Sequence, residues 1–554
     1  MFSNWREAMG DWNPQLFREL KSALKPLPIT LAVGLSGVGQ GLLLLGFNST
    51  LPDESLKSTY NNYCMTGKEY SACVRDASGH YIVNMPLWWS HMYAFLAIAT
   101  VLGLLVFGSH LLIQDMAREE RRGTFNFIRL SPQSAQQFWA GKLLGVPAPL
   151  YFAFALTLPL QLLAGLSAGF SLVHLLCFNL VTMACCVFYF STALFFSLAG
   201  QNFGVLRPWL GSGALASFLV SSIPLASVGE INFNFFELFV PWGLLPRMAE
   251  HSDRDWQWYF LPIGHHVILE SLFLIANMIF WTTWLWKAMD RRYYSPSSTL
   301  LGKVQSYWIV ASMELIAIGL FFTDSAKYDY KSSIPGVFFA LYNAVFFLFL
   351  IAALTPQRQT LLDWVQERRK QATSSDFKKQ HWIELLVGEK SPALLAFLVN
   401  LVIAGMIVTI GTSIRLGFEQ NLNIDRIGLL SGLLLSIGIF MVYAATAQSL
   451  LLLRTNKRLV WALAGVSTLF VLPIALSIVL NIGMGGGSTP IILLFSGLPW
   501  IAVFNHPGFF VIGTLFAQAA VFAGVNANFQ KRLEKASESQ LKQLLRDEPL
   551  RLPV

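Results

Sequence analysis

The sequence predicts an all-α polytopic membrane protein with about twelve transmembrane helices, arranged as two parallel six-helix halves. Three observations predict it. Of 554 residues, 54% are hydrophobic and 13% charged, where a soluble chain carries about 25% charged. Apolar runs of about 20 residues, the length that crosses a hydrocarbon core, recur along the chain. Most of the basic residues fall between alternate runs, as the positive-inside rule requires.

Residues 1–27 read as an interfacial helix. Trp5, Met9, Trp12, Leu16, Phe17 and Leu20 recur at helical spacing between charges, with a break at Pro14. No cleaved secretory signal is recognisable. Apolar runs follow at 28–47, 87–113, 143–166, 172–199, 204–227 and 263–287, then at 308–323, 333–354, 393–413, 427–453, 459–481 and 507–527. The run at 308–323 is short for a span. The polar tail 527–554 contains a helix-prone stretch from Gln530 to Arg551.

With both termini placed inside, 30 of the 39 Lys and Arg residues fall on the cytoplasmic side and 9 on the other. The net charge of +8 is therefore a topology signal beside anionic headgroups, not a nucleic-acid footprint. Cys177, Cys185 and Cys186 sit in apolar runs and read as core. Cys64 and Cys73 share a polar loop and pair as a disulfide if that loop faces an oxidising compartment.

The two sets of six runs carry parallel punctuation. Leu130-Ser131-Pro132 and then Gly141-Lys142 precede the third run. Leu354-Thr355-Pro356 and then Gly388-Glu389-Lys390 precede the ninth. Before each half's last run stands a broken external hairpin containing an apolar segment too short to cross, Leu238 to Leu245 with Pro241-Trp242, and Leu494 to Phe504 with Pro499-Trp500. This pattern reads as a duplication with a shared orientation. The organisation is then 1–27 interfacial, 28–290 first half, 291–526 second half and 527–554 tail.

The segment 114–142 is the most informative. Charges at Arg118, Glu119, Glu120, Arg121 and Arg122 precede Gly123-Thr124, where the chain should turn. Phe125, Phe127, Ile128 and Leu130 then supply an apolar face. Ser131 is the expected N-cap of a second short helix, with Pro132 at its first position. The order Glu120-Arg121-Arg122-Gly123-Thr124, apolar run, Ser131-Pro132, Gly141-Lys142 resembles the permease subunits of ABC-2-type ATP-binding-cassette transporters. Asn13-Pro14-Gln15-Leu16-Phe17-Arg18-Glu19-Leu20 also looks like the opening of such permeases, and residues 1–290 follow their order of elements.

The resemblance implies an export-type permease in a bacterial inner or internal membrane, moving an amphipathic or lipid-linked substrate. It implies that Glu119, Glu120, Arg121, Arg122, Gly123, Thr124, Phe127, Ser131 and Pro132 belong to the surface that docks on separate ATPase subunits. ATP and magnesium would then sit in that partner, and this chain would bind no cofactor of its own. Membrane lipids, and further membrane subunits in some assemblies, complete the expected partners. The plain reading of Glu120-Arg121-Arg122 is a solvated basic loop.

The second half departs from the pattern. No Glu-Arg-x-x-Gly-Thr precedes Leu354-Thr355-Pro356, and a charged insert, 355–391, takes its place. Leu361, Leu362, Trp364 and Val365 suggest one amphipathic helix there, and Trp382, Leu385 and Leu386 another. No G-x-x-x-x-G-K-[ST], HExxH or GxSxG occurs, so the chain is not read as an enzyme. His265-His266 read as interfacial histidines rather than as metal ligands. Glu270 and Glu314 lie inside apolar runs and are candidate intramembrane functional residues. A secondary transporter and a non-transporting scaffold or assembly component are the other readings.

Overall fold

The structure, a computed structural model, describes residues 10–52, 61–65, 73–76, 80–227, 235–245, 256–320, 334–371, 377–418, 426–455, 457–483, 490–504 and 506–546. Trp5, Met9 and the tail beyond Arg546 lie outside them. The chain is an integral membrane protein built from helices, and the described residues hold no strand beyond the isolated bridges Cys64–Val83 and Arg75–Tyr81. Two compact units divide it: Met1–Gln257 with Leu261–Tyr294, and Trp258–Phe260 with Ser295–Val554.

The first unit contains α1 (Pro14–Ala23), α2 (Pro26–Asn48), α3 (Met85–Arg121), α4 (Thr124–Arg129), α5 (Ala135–Gly145), α6 (Ala148–Ser167), α7 (Leu172–Ala199), α8 (Arg207–Ser227) and α9 (Val267–Tyr294). Pro14 occupies the first position of α1, where its missing N–H costs nothing, and Asn13 caps the helix through Oδ1 to the Leu16 N–H at 2.9 Å. The expected break at Pro14 is thus a helix start. Helix α6 packs on α2 and α3, α3 packs on α7 and α8, and α9 runs along α7. A π-helical turn at Gly103–Phe107 interrupts α3.

The second unit contains α10 (Lys303–Leu320), α11 (Ile334–Leu354), α12 (Arg358–Gln371), α13 (Phe377–Val387), α14 (Leu394–Phe418), α15 (Arg426–Leu451), α16 (Arg458–Gly483) and α17 (Gly508–Arg546). Helix α10 packs on α14, and α15 packs on α16 and α17. The tail is not a separate helix. As far as Arg546 it continues the last apolar helix without a break, and Phe529 and Leu533 close a cluster with Leu361, Leu362 and Leu452. The apolar face expected of α12 is therefore used inside the unit.

Among the described residues, ten helices are long and apolar enough to cross a membrane, or eleven if the bent pair Phe339–Leu354 and Arg358–Arg368 counts as one span. Six of the ten lie in the first unit and four in the second. The shortfall from about twelve lies in the second unit. Helix α10 takes in the described part of the short run at 308–323, up to Leu320, but its 18 residues carry both Lys303 and Glu314.

Candidate functional site

The residues of the Gly-Lys element explain how α1 is held. Helices α1 and α5 pack face to face. A Cβ on Gly141 would fall 2.8 Å from the backbone nitrogen of Leu16, and one on Gly145 would meet the Cβ of Glu19, so both glycines buy close approach. Asn13 seals one end by donating from Nδ2 to the Gln137 carbonyl at 2.9 Å. Between the glycines, Lys142 is fully buried. Its ammonium lies 2.8 Å from Glu19 and 2.9 Å from Glu119, and it also bonds Asp115. Arg18 adds bonds to Glu19, at 2.9 Å, and to Glu119.

Burial pushes the Lys142 ammonium down, but Asp115, Glu119 and Glu19 outweigh it and hold the pKa above its ordinary 10.5. Burial pushes Glu19 up, and Lys142 with Arg18 outweigh that and hold it below 4.5. Glu19, Asp115 and Glu119 are the one grouping of metal-ligating side chains found among the described residues. The ammonium already occupies the space between them.

Geometry divides the predicted docking residues into two sets. Glu119 is buried in this cluster. Glu120 turns inward to the buried Arg207 at 2.7 Å and to Gln201 at 2.9 Å, tying the end of α3 to the start of α8. Arg121, Arg122, Gly123, Thr124 and Pro132 are exposed, and Ser131 is half-buried. Gly123 takes φ +73°, a left-handed turn that suits glycine, and Thr124 donates to the Glu119 carbonyl at 3.1 Å.

The apolar residues of α4 are divided as well. Phe125 and Ile128 are buried, and Phe125 packs with Phe138, Trp139 and Tyr293. Phe127 and Leu130 point out, 77% and 87% exposed. They do not share one face with Phe125 and Ile128. Val205 and Leu206, at the α7–α8 connection, are also exposed. Ser131 is not an N-cap: its hydroxyl donates to the Ile128 carbonyl at 2.6 Å. Helix α5 starts three residues later, where Ser134 and Gln137 form a reciprocal capping box that satisfies two backbone N–H groups together.

The broken segments are short turns of 3₁₀ and α-helix: Phe235–Phe239 with Pro241–Gly243, and Ile491–Phe495 with Trp500–Val503. Such backbone leaves carbonyls that the segment cannot pair, which is costly away from water. In each unit a side-chain amide of the last long helix fills one. Asn277 donates to the Leu238 carbonyl at 3.0 Å, and Gln518 to the Leu494 carbonyl at 3.3 Å. Each amide stands ten residues after the first residue of its helix, and each carbonyl belongs to a Leu-Phe pair. Sequence reading did not single these out, because the two helix starts had to be known before the positions could be matched.

Asn277 also accepts from Trp281 Nε1 at 3.0 Å. The variant N277L should therefore lose about 1–3 kcal/mol for a stranded buried carbonyl. It should melt below Q518L, which strands a carbonyl without orphaning an indole. Thermal unfolding of the two purified variants checks the order.

In the second unit, Gly388-Glu389-Lys390 does not repeat the buried cation. Lys390 makes an exposed pair with Glu367 at 3.0 Å. The buried ammonium is Lys303, which donates to Ser391 Oγ at 2.6 Å and to the Leu385 and Pro392 carbonyls at 2.8 and 3.2 Å. Burial lowers it to about 8, against the opposing pull of Glu384 and Glu389. In α13, Trp382 and Ile383 are exposed.

Glu270 is fully buried in the first turn of α9. Glu314 is fully buried on α10 and lines a cavity of about 50 Å³ with Asn343 and Ser436. Glu237, also buried, sits in the first broken segment and was not foreseen, since neighbouring phenylalanines mask it in the sequence. Cys64 and Cys73 are joined as a disulfide. His265 ends a 3₁₀ turn ahead of α9. No family model, curated protein or solved structure matches the chain.

Proposed function

We propose that the chain is the transmembrane permease of an ATP-binding-cassette exporter, with both termini cytoplasmic, working with separate ATPase subunits on an amphipathic or lipid-linked substrate. The observation that carries this reading is the outward pair Phe127 and Leu130. It stands on a short helix anchored from behind by Phe125, Ile128 and the aromatic cluster. Arg129 braces the same helix by stacking on Phe125 at 4.1 Å and donating to the Arg292 carbonyl. Two large apolar side chains held in the open on a rigid mount, flanked by the exposed Arg121 and Arg122, suit a groove in a partner.

The duplication belongs to the same reading. It is supported by the packing of first on third helix and of fourth on sixth in each unit, and by the paired amides Asn277 and Gln518. An ion-driven transporter is the second reading, favoured by the buried Glu314 carboxyl.

The test is F127E together with L130E. Both sites are exposed, so the melting temperature should stay within the reach of about 0.5 kcal/mol. Co-purification of an ATPase in mild detergent should fall sharply, since anchor residues contribute about 2 kcal/mol or more each. Retention of the ATPase at wild-type level by the double variant refutes the docking assignment.

A further inference from the structure

Glu314 is enclosed by α10, α11, α14 and α15 and by Gly497 and Trp500 of the second broken segment, within the second unit, with no exposed surface. Neither carboxyl oxygen has a hydrogen bond of ordinary geometry, although the Asn343 amide lies beside it. No Lys, Arg or His lines the cavity among the described residues. On α11, Tyr342 is the titratable neighbour within electrostatic reach. Helix α14 contributes Leu401, Ala404, Gly405 and Val408 to the lining, and α15 contributes Ser436 as its polar side chain.

An uncompensated carboxylate in such surroundings costs several kcal/mol, so its charge has to be cancelled by a bound cation. The lining decides which. A metal cation such as calcium or magnesium takes roughly six oxygen ligands, and among the lining residues only Glu314, Asn343 and Ser436 offer side-chain oxygens. A drug-sized organic amine needs a pocket of about 300 Å³ or more, and this cavity measures about 50 Å³. That volume does hold a water, which needs only about 10–15 Å³, and one water is enough to carry a proton to or from the acid.

We propose that Glu314 is a proton-binding site, its carboxyl carrying an exchangeable proton in the cavity between α10, α11, α14 and α15. The site adds a chemical role to a unit that lacks the Glu-Arg-x-x-Gly-Thr element. It stands whichever energy source drives the chain, and its failure leaves the Phe127–Leu130 test untouched.

The experiment is infrared difference spectroscopy of the full-length protein in lipid nanodiscs at neutral pH, wild type against E314Q and E314D. The expected result is loss in E314Q of one protonated-carboxyl C=O band. That band shifts in heavy water and moves, rather than disappears, in E314D. Dicyclohexylcarbodiimide gives a second readout. One of its nitrogens takes the acid proton while the carboxyl oxygen bonds its central carbon, an addition with no leaving group. The adduct should map to the Glu314 peptide in wild type and be absent in E314Q. Loss of carboxylate bands instead of the acid band in E314Q overturns the proposal. So does protection of Glu314 from the reagent by sodium or potassium at constant pH, which would mark a metal-cation site.

Discussion

K142M should undock α1 and cost about 3–5 kcal/mol, because removing one partner of a buried ion cluster leaves the others charged and unpaired. Here three carboxylates would be left, those of Glu19, Asp115 and Glu119, with only the half-exposed Arg18 to answer them. Methionine fills the space but supplies no charge. The loss should appear as a lower melting temperature and as new protease cleavage within α1, since a short helix fixed by one face opens before the long spans do.

A rescue separates charge from packing: K142M with E19Q and E119Q should recover part of the loss, since a neutralised cluster no longer holds unpaired ions. The pH dependence follows from the shifts. Glu19 is depressed, so its contribution is present above pH 4.5 and is lost as pH falls through its folded value. Lys142 is raised, so its contribution is present below pH 10.5 and is lost as pH rises through its folded value. Wild-type α1 should therefore stay docked between pH 4.5 and 10.5 and release only once pH falls through the lower folded value of Glu19 or rises through the higher folded value of Lys142, and K142M should show no such plateau. Proteolysis of α1 across this pH range checks both statements. Equal melting of K142M and wild type would mean that the cluster contributes nothing net.

The residue patterns made much of this visible. Long apolar runs, the basic asymmetry and the Gly-Lys and Pro-Trp punctuation are all local, and the helices largely follow the runs. What stayed hidden depends on partners distant in the chain. Glu119 and Glu120 are adjacent, so they point to different faces of α3. Which face meets Lys142, 23 residues on, and which meets Arg207, 87 residues on, is decided only by packing. The Gly-Lys pair was legible as a motif but not as a mechanism, because the close approach it permits involves α1, more than 120 residues away. The short run at 308–323 was ambiguous for a physical reason: its polar flank is used, with Lys303 bonding the α13–α14 connection rather than solvent.

The inward turn of Glu120 leads to the second large effect. E120Q should cost about 3 kcal/mol, since Arg207 is buried and would keep only the Ser197 carbonyl, at 2.6 Å, as a strong acceptor. A double-mutant cycle with R207M should return a coupling energy of similar size, because each single change strands the partner that the other removes. Surface contacts behave differently. An exposed glutamate that meets only an ATPase can be neutralised with a change in stability of under about 0.5 kcal/mol. The two roles for Glu120 therefore predict opposite pairs of results. If E120Q melts early and E120Q/R207M recovers, any loss of partner binding in E120Q follows from the damaged join between α3 and α8. If E120Q melts with wild type and still loses the ATPase, Glu120 touches the partner directly and the Arg207 pair is incidental. The geometry favours the first outcome: under the proposed function, docking then falls to Phe127, Leu130, Arg121 and Arg122, while Glu119 and Glu120 hold the mount on which they stand.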